Sequence, residues 1–224
     1  MNSKKGIYRL AKSRFIASIN VDPQKGFTPL CPDELPVKDG HLIVPELLKQ
    51  NALADLLVAS SDAHCEAALF KVEKDEEQFQ PLDYANTDCT FKMHCQPGTK
   101  GFELLDGLPN PTEYDFFVWK GVAPDLHPYG ACYHDLAEKL STGLIEYLVF
   151  NDVNTVIVGG LATDFCVATT AKQLQRSGRF DVLLNVAACR GISPDGVAAQ
   201  IEEMQSSGVQ VFENSAAIER WLEQ

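Results

Sequence analysis

Residues that could carry out nucleophilic catalysis stand where buried apolar strands of the sequence end. The stretch VIVGGLATDFCV, residues 156–167, runs from an apolar strand through two glycines to Cys166, while Asp22 ends FIASINVD and Lys120 ends FFVWK. A thiol, a carboxylate that exchanges its proton and a cation that stabilises anions together suit acyl transfer through a covalent intermediate. Each residue alone is more often a buried thiol, a turn aspartate or a surface lysine, so the hypothesis depends on their grouping.

Cys166 stands just inside the helix predicted after the two glycines. The unpaired backbone N–H groups and the positive end of the helix dipole favour a thiolate at such a position. With Lys120 nearby, the pKa of the thiol is expected to fall below its usual value of about 8.5. The same N–H groups could hold an oxyanion during the reaction.

A second group of residues suits a metal ion. Asp62 and His64, in SSDAH, are separated by one residue and therefore point the same way in an extended segment. His94, in a later loop, would supply a third ligand, and three protein ligands leave positions open for water or substrate. The alternative is that Asp62 and His64 form a surface turn and His94 is an ordinary loop histidine. The segment DLHPYGAC, residues 125–132, could line a pocket, and three histidines receive no role from the sequence: His41, His127 and His134.

The elements that must position these residues alternate between strand-like and helix-like segments. Runs rich in Val, Ile and Phe predict strands over residues 15–21, 54–60, 116–120, 155–159, 182–187 and 209–212. Helices are predicted over residues 133–150, 163–176 and 194–205, with a last helix capped by Asn214 or Ser215. The alternation predicts an α/β fold with a doubly wound, mostly parallel six-stranded sheet and helices on both faces. The residues at the carboxyl ends of the strands would then meet at one edge.

Length and composition indicate one globular domain, residues 1–224, with a long loop insertion at about residues 71–112. Of the residues, 45% are apolar and 22% are charged, as in ordinary folded proteins. The insertion is polar and is interrupted by Pro and Gly, yet it carries Phe91, His94 and Cys95. Long loops inside compact domains are usually functional or disordered, and these three residues favour function.

The net charge and the cysteine content indicate which partners and which cellular compartment are expected. The net charge of -12 argues against binding to nucleic acid or to anionic lipid. The sequence has no apolar stretch of about 18 residues and no secretion leader at its start, which predicts a protein without a membrane partner. Seven cysteines without a C-x-x-C pair fit a reducing cytoplasm. The sequence is compatible with a homo-oligomer and does not decide the oligomeric state.

In these motifs the chain resembles the cysteine hydrolase family that includes the isochorismatases and, within it, the nicotinamidases. The resemblance extends from VDPQKGF through SSDAH, MHCQPGT and VWKG to GGLATDFCVATTAKQL and AACRGISPDG, and GLATDFCV is its most specific part. It implies that Cys166 attacks an amide carbonyl, with Asp22 and Lys120 as its partners. It also implies a cis peptide bond between Leu161 and Ala162, and an oxyanion hole formed by the N–H groups of Ala162 and Cys166.

For the activity, the resemblance implies hydrolysis of nicotinamide, a small-molecule amide, to nicotinic acid and ammonia through a cysteine thioester, as a step of NAD salvage. One divalent metal ion, zinc or alternatively iron or manganese, would be held by Asp62, His64 and His94. Whether Glu66 or waters complete its coordination is left open by the sequence. The residues expected to bind the substrate are Phe27, Phe91, Leu161 and Tyr129. Two positions depart from the usual nicotinamidase motifs: Ala63-His64-Cys65 replaces Trp-His-Pro, and Phe91 replaces a tryptophan.

Other functions remain open at this point. The nearest alternative is a metal-independent amidase of the same family that acts on another small amide, such as a carbamoyl or ureido compound. A catalytically silent homologue that serves as a scaffold is a second alternative. A thiol-redox protein is disfavoured, because no resolving cysteine lies near Cys166 in the sequence.

Overall fold

The computed structural model describes residues 14–224 and is built around a parallel β-sheet. Its strands, in chain order, are β1 (Ile16–Val21), β2 (Leu56–Asp62), β3 (Lys71–Val72), β4 (Pro81–Tyr84), β5 (Thr87–Cys89), β6 (Phe91–Lys92), β7 (Phe116–Lys120), β8 (Thr155–Leu161), β9 (Asp181–Arg190) and β10 (Gln210–Phe212). Its α-helices are α1 (Val44–Ala52), α2 (Leu144–Phe150), α3 (Ala168–Arg176), α4 (Pro194–Ser206) and α5 (Ser215–Leu222).

Six of these strands form the central sheet in the order β10-β9-β8-β1-β2-β7, and every neighbouring pair in it is parallel. The prediction of a doubly wound, six-stranded parallel sheet is confirmed. The six predicted strands are all present, with ends that differ by at most three residues from the sequence pattern. No helix among residues 14–224 is long and apolar enough to span a membrane.

Helices cover both faces of the sheet because successive strand side chains point to opposite sides. Ile19 of β1 belongs to an apolar cluster with Leu148 of α2 and Leu174 of α3. Ile157 of β8 points to the other face and packs in a cluster with Ile218 of α5. The helix α1 contacts α5 on that second face. The near-continuous burial of β1 and β8 is therefore what a parallel sheet between two helical layers requires.

The prediction of a helix over residues 133–150 is wrong for the first half of that segment, because only Leu144–Phe150 is helical. Glu138 and Gly143 both have positive φ, at 55° and 84°, which a right-handed helix does not allow. The Asp135 carboxylate accepts two backbone N–H groups four and five residues further on and closes a turn there. The apolar spacing of this segment is thus helix-like, but local hydrogen bonds hold its first half in loops.

Two further segments differ from the sequence pattern. The helix α1 was not predicted, although Pro45 in its first turn and the buried Leu47 are typical helix signals. The insertion at residues 71–112 is not wholly irregular, since it contains a two-stranded antiparallel pair, β4 and β5, and a short parallel pair, β3 and β6. Phe91, His94 and Cys95 are all buried within it. The insertion therefore packs on the sheet edge where the strand-end residues lie.

The chain reverses direction across the sheet between β1 and β8, which lie side by side although they are distant in sequence. Ligands of open α/β sheets bind at such a switch point, beyond the carboxyl ends of the strands. Asp22 follows β1 directly, Asp62 and Lys120 end β2 and β7, and Cys166 follows β8 by five residues. The fold thus gathers the predicted catalytic residues at one edge.

Close approach of β1 and β8 at this edge requires a glycine at position 160. Gly160 has a φ of 138°, and a Cβ there would collide with the backbone carbonyl of Val21, its register partner in β1. We expect Gly160→Ala to lower the free energy of unfolding by about 3 kcal/mol or more, because neither backbone can move aside cheaply. Urea denaturation measures the effect.

Gly178→Ala is the matched control for this prediction. Gly178 also has a positive φ, 65°, but nothing lies within 4 Å of the position that its Cβ would take. Its substitution should cost only the backbone strain, about 1 kcal/mol. If the two variants lost the same free energy of unfolding, the close contact between Gly160 and Val21 would not be what makes glycine necessary at position 160.

Candidate active site

The ammonium group of Lys120 lies at the centre of the site. Its Nζ is 2.9 Å from Oδ2 of Asp22, 2.7 Å from Oδ1 of Asp62 and 3.8 Å from Sγ of Cys166, and it donates to the carbonyl of Pro128 at 3.3 Å. The side chain is fully buried. Burial alone would lower the pKa of Lys120, but the two carboxylates raise it well above its usual value. The lysine is therefore a fixed cation shared by two anions and a thiol.

Asp22 is placed for proton exchange by the end of β1 and by its neighbour β2. Its φ of 43° turns the chain sharply after β1, and its N–H donates to the carbonyl of Ser60 at 3.1 Å. The Ser60 hydroxyl donates to Oδ1 of Asp22 at 2.6 Å. Burial raises the pKa of Asp22 to about 6, against the opposing effect of Lys120. A carboxylate with that pKa can take up and return a proton near neutral pH.

Cys166 lies in a turn of π-helix, Thr163–Val167, that precedes α3. Its Sγ and the carboxylates of Asp22 and Asp62 lie within 4.8 Å of one another. The expected low pKa is wrong: burial raises the pKa of the Cys166 thiol well above its usual value, although Lys120 opposes the rise. The side chain is 6% exposed, and the two nearby anions disfavour a third. The resting group is thus a thiol, with the Asp22 carboxylate beside it as a candidate acceptor of its proton.

The turn that carries Cys166 is anchored by Asp164, a residue to which the sequence pattern assigns no role. The Asp164 carboxylate accepts the backbone N–H groups of Ile192 and Ser193, each at 3.0 Å. This contact ties the nucleophile turn to the loop between β9 and α4. The peptide bond between Leu161 and Ala162 is cis, as the resemblance implied. The oxyanion hole of Ala162 and Cys166 stays a prediction.

Asp62, His64 and His94, the candidate metal ligands of the sequence, lie close together. Oδ2 of Asp62 lies 3.6 Å from Nε2 of His64 and 3.9 Å from Nε2 of His94. Two donors about 2.1 Å from one ion can lie at most about 4.2 Å apart, so both distances fit a shared ion. Nδ1 of His64 lies 3.3 Å from the carbonyl of Gly121, and Nδ1 of His94 lies 2.7 Å from that of Lys92. Such contacts keep the proton on Nδ1 and free Nε2 for a metal.

The buried Nε2 of His64 has no hydrogen-bond partner in the structure, and this bears on whether these side chains suit a metal ion. An unpartnered buried nitrogen is costly, and a metal ion would satisfy it. Burial lowers the pKa of His94 to about 3, so its ring is neutral, as a ligand must be. The residues present therefore fit a divalent metal ion. Glu66 is not among them, since its carboxylate pairs with Lys71 at 2.6 Å near the surface.

Gln24 fixes the position of Asp62 and was also missed from the sequence. Its side-chain Nε2 donates to the carbonyl of Asp62 at 2.9 Å, and its Oε1 accepts the N–H of Asp62 at 2.8 Å. Gln24 is fully buried, so this double contact is shielded from water. The motif VDPQKGF thus supplies an amide that positions the carboxylate beside the two histidines.

Aromatic rings pack around the histidines. The ring of Phe27 lies 5.3 Å from that of His94, and Phe91 lies 6.0 Å from the same ring. Tyr129 lies 5.7 Å from Phe165, and its hydroxyl donates to Asp88 at 2.7 Å. Phe165 was not predicted from the sequence. Leu161, which is fully buried, packs in the same cluster as Phe27 and Phe91.

The comparison with protein families agrees with this arrangement. Residues 17–215 match the isochorismatase domain. The chain belongs to the isochorismatase family. A nicotinamidase of Acinetobacter baylyi is 30% identical to this isochorismatase-family chain over 207 residues, which cover 90% of the chain and 94% of that protein. A nicotinamidase/pyrazinamidase of Mycobacterium tuberculosis is 28% identical over 71% of the chain and 82% of that protein.

Solved structures extend the family likeness to three dimensions. A nicotinamidase/pyrazinamidase of Acinetobacter baumanii superposes with a TM-score of 0.81 at 29% identity, covering 92% of this chain and 99% of that one. A pyrazinamidase of Pyrococcus horikoshii, solved in complex with zinc, gives a TM-score of 0.69 at 29% identity and covers 88% and 98%. The fold and its strand order are therefore those of the isochorismatase family.

Proposed function

We propose that this protein is a nicotinamidase, a hydrolase that cleaves the carbon–nitrogen bond of nicotinamide to give nicotinic acid and ammonia for NAD salvage. The observation that carries the proposal is the set of contacts made by the Lys120 ammonium. It contacts Asp22 and Cys166, and it also contacts Asp62, one of the three side chains that fit a metal ion. The relative that is 30% identical to this chain is a nicotinamidase, and the match covers 94% of its length. A structure from L. infantum, 25% identical, was solved with nicotinate.

The first half of the reaction uses the buried thiol. Asp22 accepts the Sγ proton of Cys166, and the sulfur forms a bond to the carboxamide carbon while the carbonyl electron pair moves to oxygen. The N–H groups of Ala162 and Cys166 would hold that oxyanion. Asp22 then gives its proton to the amide nitrogen, the carbon–nitrogen bond breaks, and ammonia leaves a thioester on Cys166.

The second half regenerates the enzyme with the same groups. Asp22 takes a proton from a water molecule, whose oxygen attacks the thioester carbon. When the carbon–sulfur bond breaks, the proton returns to the sulfur of Cys166 and nicotinic acid is released. Lys120 keeps its charge throughout and stabilises each anion in turn, which its two carboxylate contacts permit.

The same proposal assigns the metal and the substrate contacts. Asp62, His64 and His94 would hold one divalent ion, zinc in the first place, with iron and manganese as alternatives that the donor set also suits. A bound ion would supply a Lewis acid suited to the pyridine nitrogen of nicotinamide. The ring of the substrate would pack against four side chains: Phe27, Phe91, Leu161 and Tyr129.

The setting of the enzyme belongs to the proposal as well. We take residues 1–224 as one catalytic domain that works in the cytoplasm, where its seven cysteines, all free in the structure, stay reduced. The net charge of -12 argues against a nucleic-acid or anionic-lipid partner. A homo-oligomer is compatible with this assignment.

Ammonia release from purified protein tests the function. Nicotinamide should be hydrolysed, and treatment with a chelator should remove the activity until zinc, iron or manganese is restored. A panel of other small amides, including ureido and carbamoyl compounds, is measured beside it. Turnover of such an amide by chelated protein, without turnover of nicotinamide, would assign the chain to the metal-independent amidases. No turnover of any amide would indicate the catalytically silent scaffold.

A further inference from the structure

His127 lies beside the three side chains that fit the metal, although no motif of the sequence gave it a role. Ring nitrogens of His64, His94 and His127 lie within 4.8 Å of one another, and all three rings are buried. The His127 ring is stacked on His64 at a centroid distance of 5.0 Å and an interplanar angle of 14°. One nitrogen from each of the three imidazoles therefore lies in the same small volume.

Both ring nitrogens of His127 are buried without any hydrogen-bond partner. His64 and His94 differ from it, because each has its Nδ1 against a backbone carbonyl and its Nε2 near the Asp62 carboxylate. A buried imidazole with two unsatisfied nitrogens is costly unless a partner of another kind is bound. A metal ion is such a partner, since it accepts the lone pair of a neutral ring.

The ring is held in place by its surroundings rather than by its nitrogens. The backbone N–H of His127 donates to the carbonyl of Asn86 at 2.8 Å. The ring also stacks on Phe91 at a centroid distance of 4.8 Å and an interplanar angle of 17°. The next residue, Pro128, accepts a hydrogen bond from Lys120. The segment is thus fixed both to the insertion and to the catalytic lysine, which preorganises the ring.

We propose that His127 is a fourth protein ligand, so that the metal is bound by one carboxylate and three imidazoles. The proposal rests on the metal site of the proposed function. A fourth protein ligand would occupy the last position of a tetrahedral metal ion and would leave none for the substrate. An ion that also accepts substrate must therefore take five or six ligands, as zinc can in transition states and as iron and manganese do readily.

The test is the replacement His127→Phe, which keeps the stacked ring and removes both nitrogens. Protein stripped of metal is titrated with zinc in competition with a coloured chelator, and the loaded protein is measured by X-ray absorption at the zinc edge. We expect the zinc affinity to fall at least tenfold, because even the loss of an outer hydrogen-bond partner of a ligand costs 10- to 100-fold. The number of imidazoles around zinc should fall from three to two.

His134→Phe is the matched control, since His134 lies outside the cluster of three histidines. Its zinc affinity and imidazole count should equal those of the wild-type protein. If His127→Phe does not fold, His127→Gln replaces it, and the imidazole count of the wild-type protein stands by itself as a test.

Two imidazoles in the wild-type protein, or an unchanged affinity in both His127 variants, would overturn the proposal. Three imidazoles in a protein that does not hydrolyse nicotinamide would refute the proposed function and leave the ligand assignment standing. Failure of the wild-type protein to bind zinc, iron or manganese would overturn both.

Discussion

Replacement of Cys166 by alanine should lower the rate of nicotinamide hydrolysis by about 10⁴-fold or more, because loss of the nucleophile leaves only binding and oxyanion contacts. The buried thiol, with Asp22 and Lys120 around it, is the group in this site that can form a covalent bond to the amide carbon. The side chain is small and 6% exposed, so alanine should fit with little change in the fold. Ammonia release gives kcat/KM, and circular dichroism checks the fold.

Cys31→Ala is the matched control for this prediction. Cys31 is also a free, buried cysteine, but it lies in the loop after β1 and outside the cluster of Cys166, Asp22 and Asp62. Its substitution should leave kcat/KM within about twofold of the wild-type value, as expected of a site without a special role. A Cys166→Ala protein that kept a hundredth of the activity would contradict the thioester mechanism.

Much of the site is predictable because parallel strands end at one edge. Asp22, Asp62 and Lys120 each close an apolar run, and the periodicity of such runs is visible without a structure. Once a parallel sheet is inferred, those side chains must lie at the same edge of it, and the strand order β8-β1-β2-β7 brings them close together. The sheet itself follows from the alternation of elements, and so the sequence carries the fold class and the approximate position of the centre.

The residues that were missed depend on contacts between distant segments. Ser60 lies within β2, and only the register of β2 on β1 brings its hydroxyl to Asp22. Asp164 holds N–H groups 28 and 29 residues further along the chain. His127 lies in a loop, and a loop path has no periodicity that a pattern could detect. Each of these side chains looks like an ordinary polar residue until its partner is known.

The wrong expectation for the Cys166 thiol has a related cause. A position near the start of a helix and a nearby lysine are visible in the sequence, and both favour the thiolate. The depth of the thiol and the closeness of Asp22 and Asp62 are properties of the packed fold, and they raise the pKa instead. When several groups share one cation, the sign of a pKa shift depends on the count of nearby charges and on burial.

Lys120→Met should destabilise the protein by about 3 to 5 kcal/mol, because it leaves buried carboxylates without their cation. Lys120 is fully buried between Asp22 and Asp62, so water cannot replace its charge. Urea denaturation of the metal-loaded protein at pH 7 measures the loss. Lys172→Met is the matched control, since Lys172 pairs with the half-exposed Glu203 at 2.9 Å and its removal should cost at most about 1 kcal/mol.

The pH dependence of that loss separates an unpaired charge from a simple packing defect. Lys120 lowers the pKa of Asp22, so the variant should have an Asp22 pKa above the wild-type value of about 6. A carboxyl whose folded pKa exceeds its unfolded pKa costs stability as the pH rises through that range. Lowering the pH from 7 to 5 protonates Asp22 in the folded variant and should narrow the gap to the wild-type protein. A gap that stays constant with pH would mean that Lys120 acts through the shape of its side chain, and the proposed charge balance among Lys120, Asp22 and Cys166 would have to be abandoned.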